Sequence, residues 1–154
     1  MSAHAASTTT DRALPPGLPA PATTDPLTAP FWQAARDGRL LVQRCHGCGR
    51  HQWGPEWICH RCHAFDLGWE QVEPRGRIYS WQRPHHPVHP ALDGATPYTI
   101  VLVELPGADG VRMVGNLLGA AEQVVRIGAA VEAVFEPHDE ADPPYTLVQW
   151  RMVG

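Results

Sequence analysis

The sequence predicts a mainly β protein: a short N-terminal helix and a metal-knuckled ribbon, followed by a small closed barrel. Three observations carry that expectation. All four cysteines fall in two C-x-x-C pairs, Cys45/Cys48 and Cys59/Cys62. The chain beyond them breaks into short apolar runs separated by Gly, Pro and Asp turn signals, the pattern of a barrel or sandwich. No long segment keeps a helical period.

Taken in order, residues 1–27 are rich in Ala, Thr and Pro, without periodicity, and are expected to form a disordered tail. Thr28 then reads as an N-cap, Pro30 sits in the first turn, and Gly38 is the stop. The helix between them places Phe31, Trp32 and Ala35 on one face. A helix of two turns is not stable alone, so that aromatic face must pack on this domain or on another chain. Arg39–Arg44 reads as a strand entering the first knuckle, and Gln52–Pro55 as the return toward the second. Trp53 and Trp57 are expected to shield the cysteines. Helix and ribbon together occupy residues 28–70.

Residues 71–154 form the barrel in this reading. Arg75–Arg83, Tyr98–Leu105, Val111–Leu118, Val131–Glu136 and Tyr145–Val153 are the candidate strands, with Trp69–Val72 a short extended lead-in. Ala120–Arg126 suits a short helix. Five strands with a helix between the third and fourth describe an OB-fold.

The cysteines set the chemistry of the ribbon. Each C-x-x-C turn offers two thiolates from one tight loop, and two such loops close a tetrahedral shell with no open position, which makes the metal structural. Zinc is the expected ion. Iron also accepts four thiolates. Two disulfides, in three connectivities, are the rival reading; the chain lacks export features, so a reducing cytoplasm that keeps thiols free is expected. His46, His51, His60 and His63 lie nearby, but four cysteines already fill the shell.

Composition narrows the function. All twelve basic residues are arginine, and the formal net charge is −4. An acidic protein without lysine is poorly suited to non-specific nucleic-acid binding, which depends on neutralising phosphates. No run approaches the roughly 20 apolar residues of a membrane helix.

Two further stretches carry candidate chemistry. Pro84–Pro90 holds His85, His86 and His89 in an extended, proline-fixed loop. Neighbours in an extended segment do not converge, so an exposed interface loop is expected over a second metal site or an acid–base role. Arg77, Tyr79, Trp81 and Arg83 recur at period two. That is the look of an oligonucleotide-binding face, and arginine also suits the phosphates of coenzyme A. The opposite face, Ile78, Ser80 and Gln82, makes a poor core, so Tyr79 and Trp81 are expected to turn inward.

The order of these parts resembles a known family. Phe31-Trp32, Leu40–Cys45, the two knuckles, Gly76–Trp81, Pro97–Leu105, Gly115-Asn116, Ile127-Gly128 and Val131–Phe135 are similar to the zinc-ribbon plus OB-fold family catalogued as domain-of-unknown-function family 35. The resemblance covers residues 29–153. It implies a rubredoxin-like ribbon and an OB-fold barrel. It also implies a hetero-oligomer with a thiolase-fold large subunit that works on acyl-CoA, in which the small subunit helps form the CoA channel. Some members serve aldolases that shorten steroid side chains, and others serve thiolases, acyltransferases or hydratases. By that resemblance the catalytic groups belong to the partner, and Phe31, Trp32, Arg77, Trp81, His85, His86 and His89 are the candidates to face CoA or the partner. With every cysteine given to metal, no thiol remains here for acyl transfer.

Overall fold

A computed structural model describes residues 12–154. Helix α1 spans Ala29–Arg36, with Pro30 in its first turn. Thr28 stands at the N-cap, although its side chain makes no capping bond. Phe31, Ala34 and Ala35 are buried. Phe31 packs against Trp53 with ring centroids 4.9 Å apart, so the aromatic face of α1 is covered largely from within this chain.

The ribbon is a three-stranded antiparallel sheet. Strand β1 (Leu41–Cys45) lies between β2 (His51–Gln52) and β3 (Leu67–Gln71). Its interior is partly polar. Gln43 and Gln52 are buried, and Gln52 Nε2 donates to Gln43 Oε1 at 3.0 Å. Gln43 also fastens both backbone groups of Glu56, and Gln52 Oε1 accepts from the His60 amide at 2.9 Å. Two amide side chains thereby do for the loop between the knuckles what a further strand would do: they satisfy its backbone away from water.

The barrel sheet runs β6-β5-β4-β7-β8. These strands are β4 (Arg75–Gln82), β5 (Ile100–Leu105), β6 (Val111–Asn116), β7 (Ala130–His138) and β8 (Tyr145–Met152). All pairings are antiparallel. Closure comes from a parallel bridge between Leu117 and Trp150, where the Leu118 amide donates to the Trp150 carbonyl at 2.8 Å. The architecture is the expected OB barrel. The expected helix over Ala120–Arg126 is only a turn, in which the Gln123 amide reaches the Ala120 carbonyl.

Inside the barrel, Ile78, Val101, Val103, Leu105, Met113, Val131 and Trp150 form one apolar cluster, which extends into Phe31, Leu40, Val42 and Val72. Two glycines permit the closest approaches. A methyl group at Gly115 would lie 2.7 Å from Cδ1 of Trp150, and one at Gly76 would lie 2.5 Å from the Glu104 carbonyl oxygen. Both are far inside van der Waals contact, so only glycine lets the strands pass at these points.

The tail expectation over 1–27 meets a different arrangement where the chain is described. Residues 1–11 of that expectation lie outside the described residues. From Arg12 the chain is laid on the barrel: Arg12 pairs with Glu140 at 2.7 Å, and the Ala13 amide donates to Glu136 at 2.8 Å. Prolines make this docking inexpensive, because a chain already stiff in the extended form loses little entropy on ordering.

Candidate metal centre and exposed barrel face

The first knuckle follows β1 and the second precedes β3. Each is turned by local bonds: the Gly49 amide reaches the Cys45 carbonyl at 2.8 Å, and the His63 amide reaches the Cys59 carbonyl at 3.1 Å. Gly49 and His63 both take positive φ, 75° and 61°. Backbone amides then point at sulfur. Cys48 N lies 3.5 Å from Cys45 Sγ, and Arg61 and Cys62 N lie 3.4 and 3.5 Å from Cys59 Sγ.

The four sulfur atoms lie within 4.8 Å of one another. Cys45 and Cys62 are 3.6 Å apart, and Cys48 and Cys59 are 3.7 Å apart. A tetrahedron with a zinc–sulfur bond of about 2.3 Å has edges of about 3.8 Å, so the donor set has the size that zinc needs. These spacings are far too long for S–S bonds, which removes the disulfide reading. Electrostatics agree. Amide groups of Cys62 and Arg61 pull the Cys59 thiol down to about 6. At Cys62 the Ala64 amide also lowers the pKa, but the neighbouring Cys45 and Cys59 sulfurs together with burial drive it up to about 11. Packed thiolates repel, and a divalent cation at their centre is what allows all four to ionise.

Two of the nearby histidines have other partners, and His60 and His63 are exposed. His46 Nδ1 lies 2.9 Å from Asp66. His51 sits at the joint between ribbon and barrel, with Nδ1 2.9 Å from Asp109 in the β5–β6 turn and Nε2 3.1 Å from Glu70 on β3. The amides of Gln43 and Gln52, not the tryptophans, brace the knuckles: Trp53 packs on Phe31, and Trp57 is 62% exposed.

On the barrel, the inward expectation for Tyr79 and Trp81 fails. Both are exposed, and Ile78 is buried in the core. Gly76 and Ile78 take the inward positions, Ile78 opposite Val103, so Tyr79 points outward by simple alternation. The register against β5 shifts between Ile78 and Ser80, and β4 is exposed from Tyr79 onward. Tyr79 is capped by the Arg112 guanidinium at 3.6 Å, and Arg83 lies over Trp81 at 5.3 Å. Arg77 is exposed and donates to the Gly128 carbonyl at 3.1 Å. Ser80, Trp81, Ile100, Leu102 and Val114 line one shallow groove. Most outward faces of antiparallel sheets are polar; this one is apolar with an arginine rim. Sequence reasoning missed it, although Tyr98–Leu105 signals it by being apolar on both faces of one strand.

The remaining candidates are dispersed. Phe31 is 7% exposed and lies in the core, while Trp32 is half-buried beside it. His89 Nδ1 accepts from the Ala91 amide at 3.1 Å and caps a 3-10 turn, whereas His85 and His86 are exposed. Among the described residues, the four cysteines are the group able to hold a metal. No helix there is long and apolar enough to cross a membrane.

Comparison with known proteins accords with this geometry. Residues 32–68 match "ChsH2, rubredoxin-like zinc ribbon domain", and residues 69–136 match "ChsH2, C-terminal OB-fold domain". A chain of the solved structure "Ltp2-ChsH2(DUF35) aldolase" superposes with a TM-score of 0.71 at 36% identity, covering 86% of this chain and 98% of that one. The "Probable enoyl-CoA hydratase alpha subunit" of Thermomonospora curvata is 42% identical over 126 residues, 79% of this chain and 36% of its own length. The "3-oxo-4,17-pregnadiene-20-carboxyl-CoA hydratase alpha subunit" of Mycobacterium tuberculosis is 31% identical over 125 residues, 80% of this chain and 37% of its own. The chain thus spans little more than a third of either hydratase subunit. On fold, cysteine geometry and sequence together, it belongs to the ChsH2 family of rubredoxin-like zinc ribbons joined to an OB-fold, the DUF35 family.

Proposed function

We propose that this chain is a non-catalytic auxiliary subunit that binds a thiolase-fold large subunit and helps form its acyl-CoA site. The reaction assigned to the complex is retro-aldol C–C cleavage of a β-hydroxyacyl-CoA with a steroid-type side chain, in cytoplasmic lipid degradation. The observation that carries this reading is the likeness to a chain of the Ltp2–ChsH2 aldolase over 98% of that chain's length. The site chemistry supports it. The cysteines are arranged for metal, and His51 and His89 are engaged in holding the fold. The apolar face of β4–β6, rimmed by Arg77 and Arg112, is the surface assigned to partner and CoA. Trp81, His85 and His86 are exposed and Trp32 is half-buried; all four are assigned to the same contacts. In the metal centre, zinc would be held by Cys45, Cys48, Cys59 and Cys62, and would supply structural cross-linking rather than catalysis.

The test is affinity purification at moderate salt followed by assay. A stoichiometric thiolase-fold partner, with acyl-CoA cleavage that needs both chains, is expected. A lone chain, or full turnover by the partner alone, overturns the reading. A second reading has its own support: both curated relatives quoted above are named hydratase alpha subunits. If the purified complex hydrates an enoyl-CoA and does not cleave the β-hydroxyacyl-CoA, that reading replaces the first.

A further inference from the structure

Residues 12–21 do more than lie on the barrel. They roof a cavity of about 460 Å³ over the outer face of the β7–β8 hairpin. The segment is pinned at its start. Arg12 donates twice to Glu140, at 2.7 and 2.9 Å, and once to the Pro137 carbonyl at 3.0 Å. Farther on, Gly17 approaches Ala91, where a methyl group on the glycine would touch at 3.4 Å. The roof therefore spans from the β7–β8 end to the loop after β4. Its size falls within the range of small-molecule sites.

The lining has the composition of such a site. Leu14, Pro15, Leu18, Pro19 and Leu147 give apolar walls. The polar groups that share the lining are mostly satisfied. Glu136 is buried, bonded to His138 at 2.8 Å and to the Ala13 amide at 2.8 Å. His138 stacks on Tyr145 with centroids 4.6 Å apart. Gln149 is different. It is 2% exposed, and its side-chain orientation is fixed chemically: the Asn116 backbone amide, which can only donate, meets it at 2.8 Å. The atom it meets is therefore Oε1, which also accepts from Asn116 Nδ2 at 3.3 Å. The other arm, Nε2, takes no part in the bonds to Asn116, and Gln149 lines the cavity.

We propose that this cavity binds a small, neutral, apolar molecule carrying a carbonyl or hydroxyl oxygen, with Gln149 Nε2 as its hydrogen-bond donor. Charge selects the class. Glu136 and Glu140 line the site, and the one guanidinium there, Arg12, is already committed to Glu140 and Pro137. An anion would be repelled. An ammonium ion has no acceptor to offer Gln149. A neutral oxygen satisfies the amide, and an apolar body fits the proline and leucine walls. The site lies on the β7–β8 face, apart from the β4–β6 face assigned to the partner, and does not depend on that assignment.

The probe is 6-propionyl-2-dimethylaminonaphthalene, a neutral ketone whose emission shifts to the blue in apolar surroundings. The full chain is titrated with it. Saturable, blue-shifted binding is expected. Gln149→Glu keeps an oxygen for Asn116 and loses the donor, and should weaken binding by about fivefold or more. Leu147→Trp fills the cavity and should abolish saturable binding, while far-UV dichroism and thermal melting verify that both variants remain folded. The anionic dye 1-anilinonaphthalene-8-sulfonate should not compete. The proposal is overturned if the wild-type chain gives no saturable shift. It is equally overturned if Leu147→Trp, folded, binds the ketone as tightly as wild type, because the dye then sits elsewhere.

Discussion

The ribbon and the barrel are held by different physics in one continuous chain. The ribbon has three strands, one of them only two residues long, and is organised around four cysteines, of which Cys45 and Cys59 are buried, and two bonded buried glutamines. Its own apolar residues, Leu40 and Val42, are absorbed into the core that the barrel builds. The barrel has five strands around Trp150 and rows of valine and leucine. One region is organised by donor atoms that must find a cation or a partner, the other by surface removed from water. The lesson is that the ribbon is rigid only conditionally, on its metal, while its attachment to the barrel is not conditional at all.

The sharpest way to break that comparison is to remove the metal. Metal binding at structural zinc sites is worth about 10 kcal/mol or more, and it doubles as folding energy. Chelation, or Cys59→Ser, should release amide protons of β1–β3 to fast exchange while β4–β8 stay protected. Coincident loss of protection in both regions would show that the barrel, too, depends on the metal. The next effect belongs to the barrel. Trp150→Ala should cost about 3–5 kcal/mol, and Gly115→Val about 1–3 kcal/mol by overpacking against the same indole; denaturant unfolding measures both. A Trp150→Ala chain with unchanged stability would mean that the cluster is not the barrel's main support.

The joint comes third. His51→Ala removes contacts with Asp109 and Glu70 and should cost about 1–2 kcal/mol. Acid should act at the same place. The His51 backbone amide, then its ring, hold the Asp109 carboxyl below its ordinary value, and Arg44, then His51, do the same for Glu70. A carboxyl depressed in the folded state contributes stability above its unfolded pKa, about 4, and loses it as pH falls through the lower folded value. Melting temperature should therefore drop on acidification below about pH 4, and less steeply in Asp109→Asn. The smallest effect is expected at Arg12→Ala. Arg12 holds Glu140 down to about 2, but the pair is solvent-exposed and screened. A slight fall in melting temperature, with faster proteolysis near the N-terminus, is the expected readout.

What could be read in the sequence follows from which interactions are local. The C-x-x-C pairs announce themselves because both ligands of each pair share one turn. Strands β4 to β8 are legible as short alternating or β-branched runs separated by turn signals. The short helix was legible from Pro30 and Gly38, while the face it packs on was not, since Trp53 meets Phe31 only through the fold. Period two gives β4 two faces but does not say which one meets the core; that is settled only by the pairing of Ile78 with Val103 on β5. The docking of residues 12–21 was hidden for a similar reason. Composition reports the entropy of a free chain, but it does not report that Glu136, Glu140 and the Leu147 face wait on another strand pair. Gln43 and Gln52 read as ordinary polar strand residues, and only the path of the 53–58 loop makes them buried braces.

The uncovered β4–β6 face has a consequence for how the protein is made. Val114 is 62% exposed, beside Ile100 and Leu102 on the neighbouring strand β5. A newly synthesised chain released from the ribosome alone presents this sticky sheet to every other copy, and apolar patches of this kind promote clumping as concentration rises. Colloidal behaviour should then depend on gene dosage: production in step with a chain that covers the face is expected to keep the protein dispersed, and overproduction alone to favour self-association.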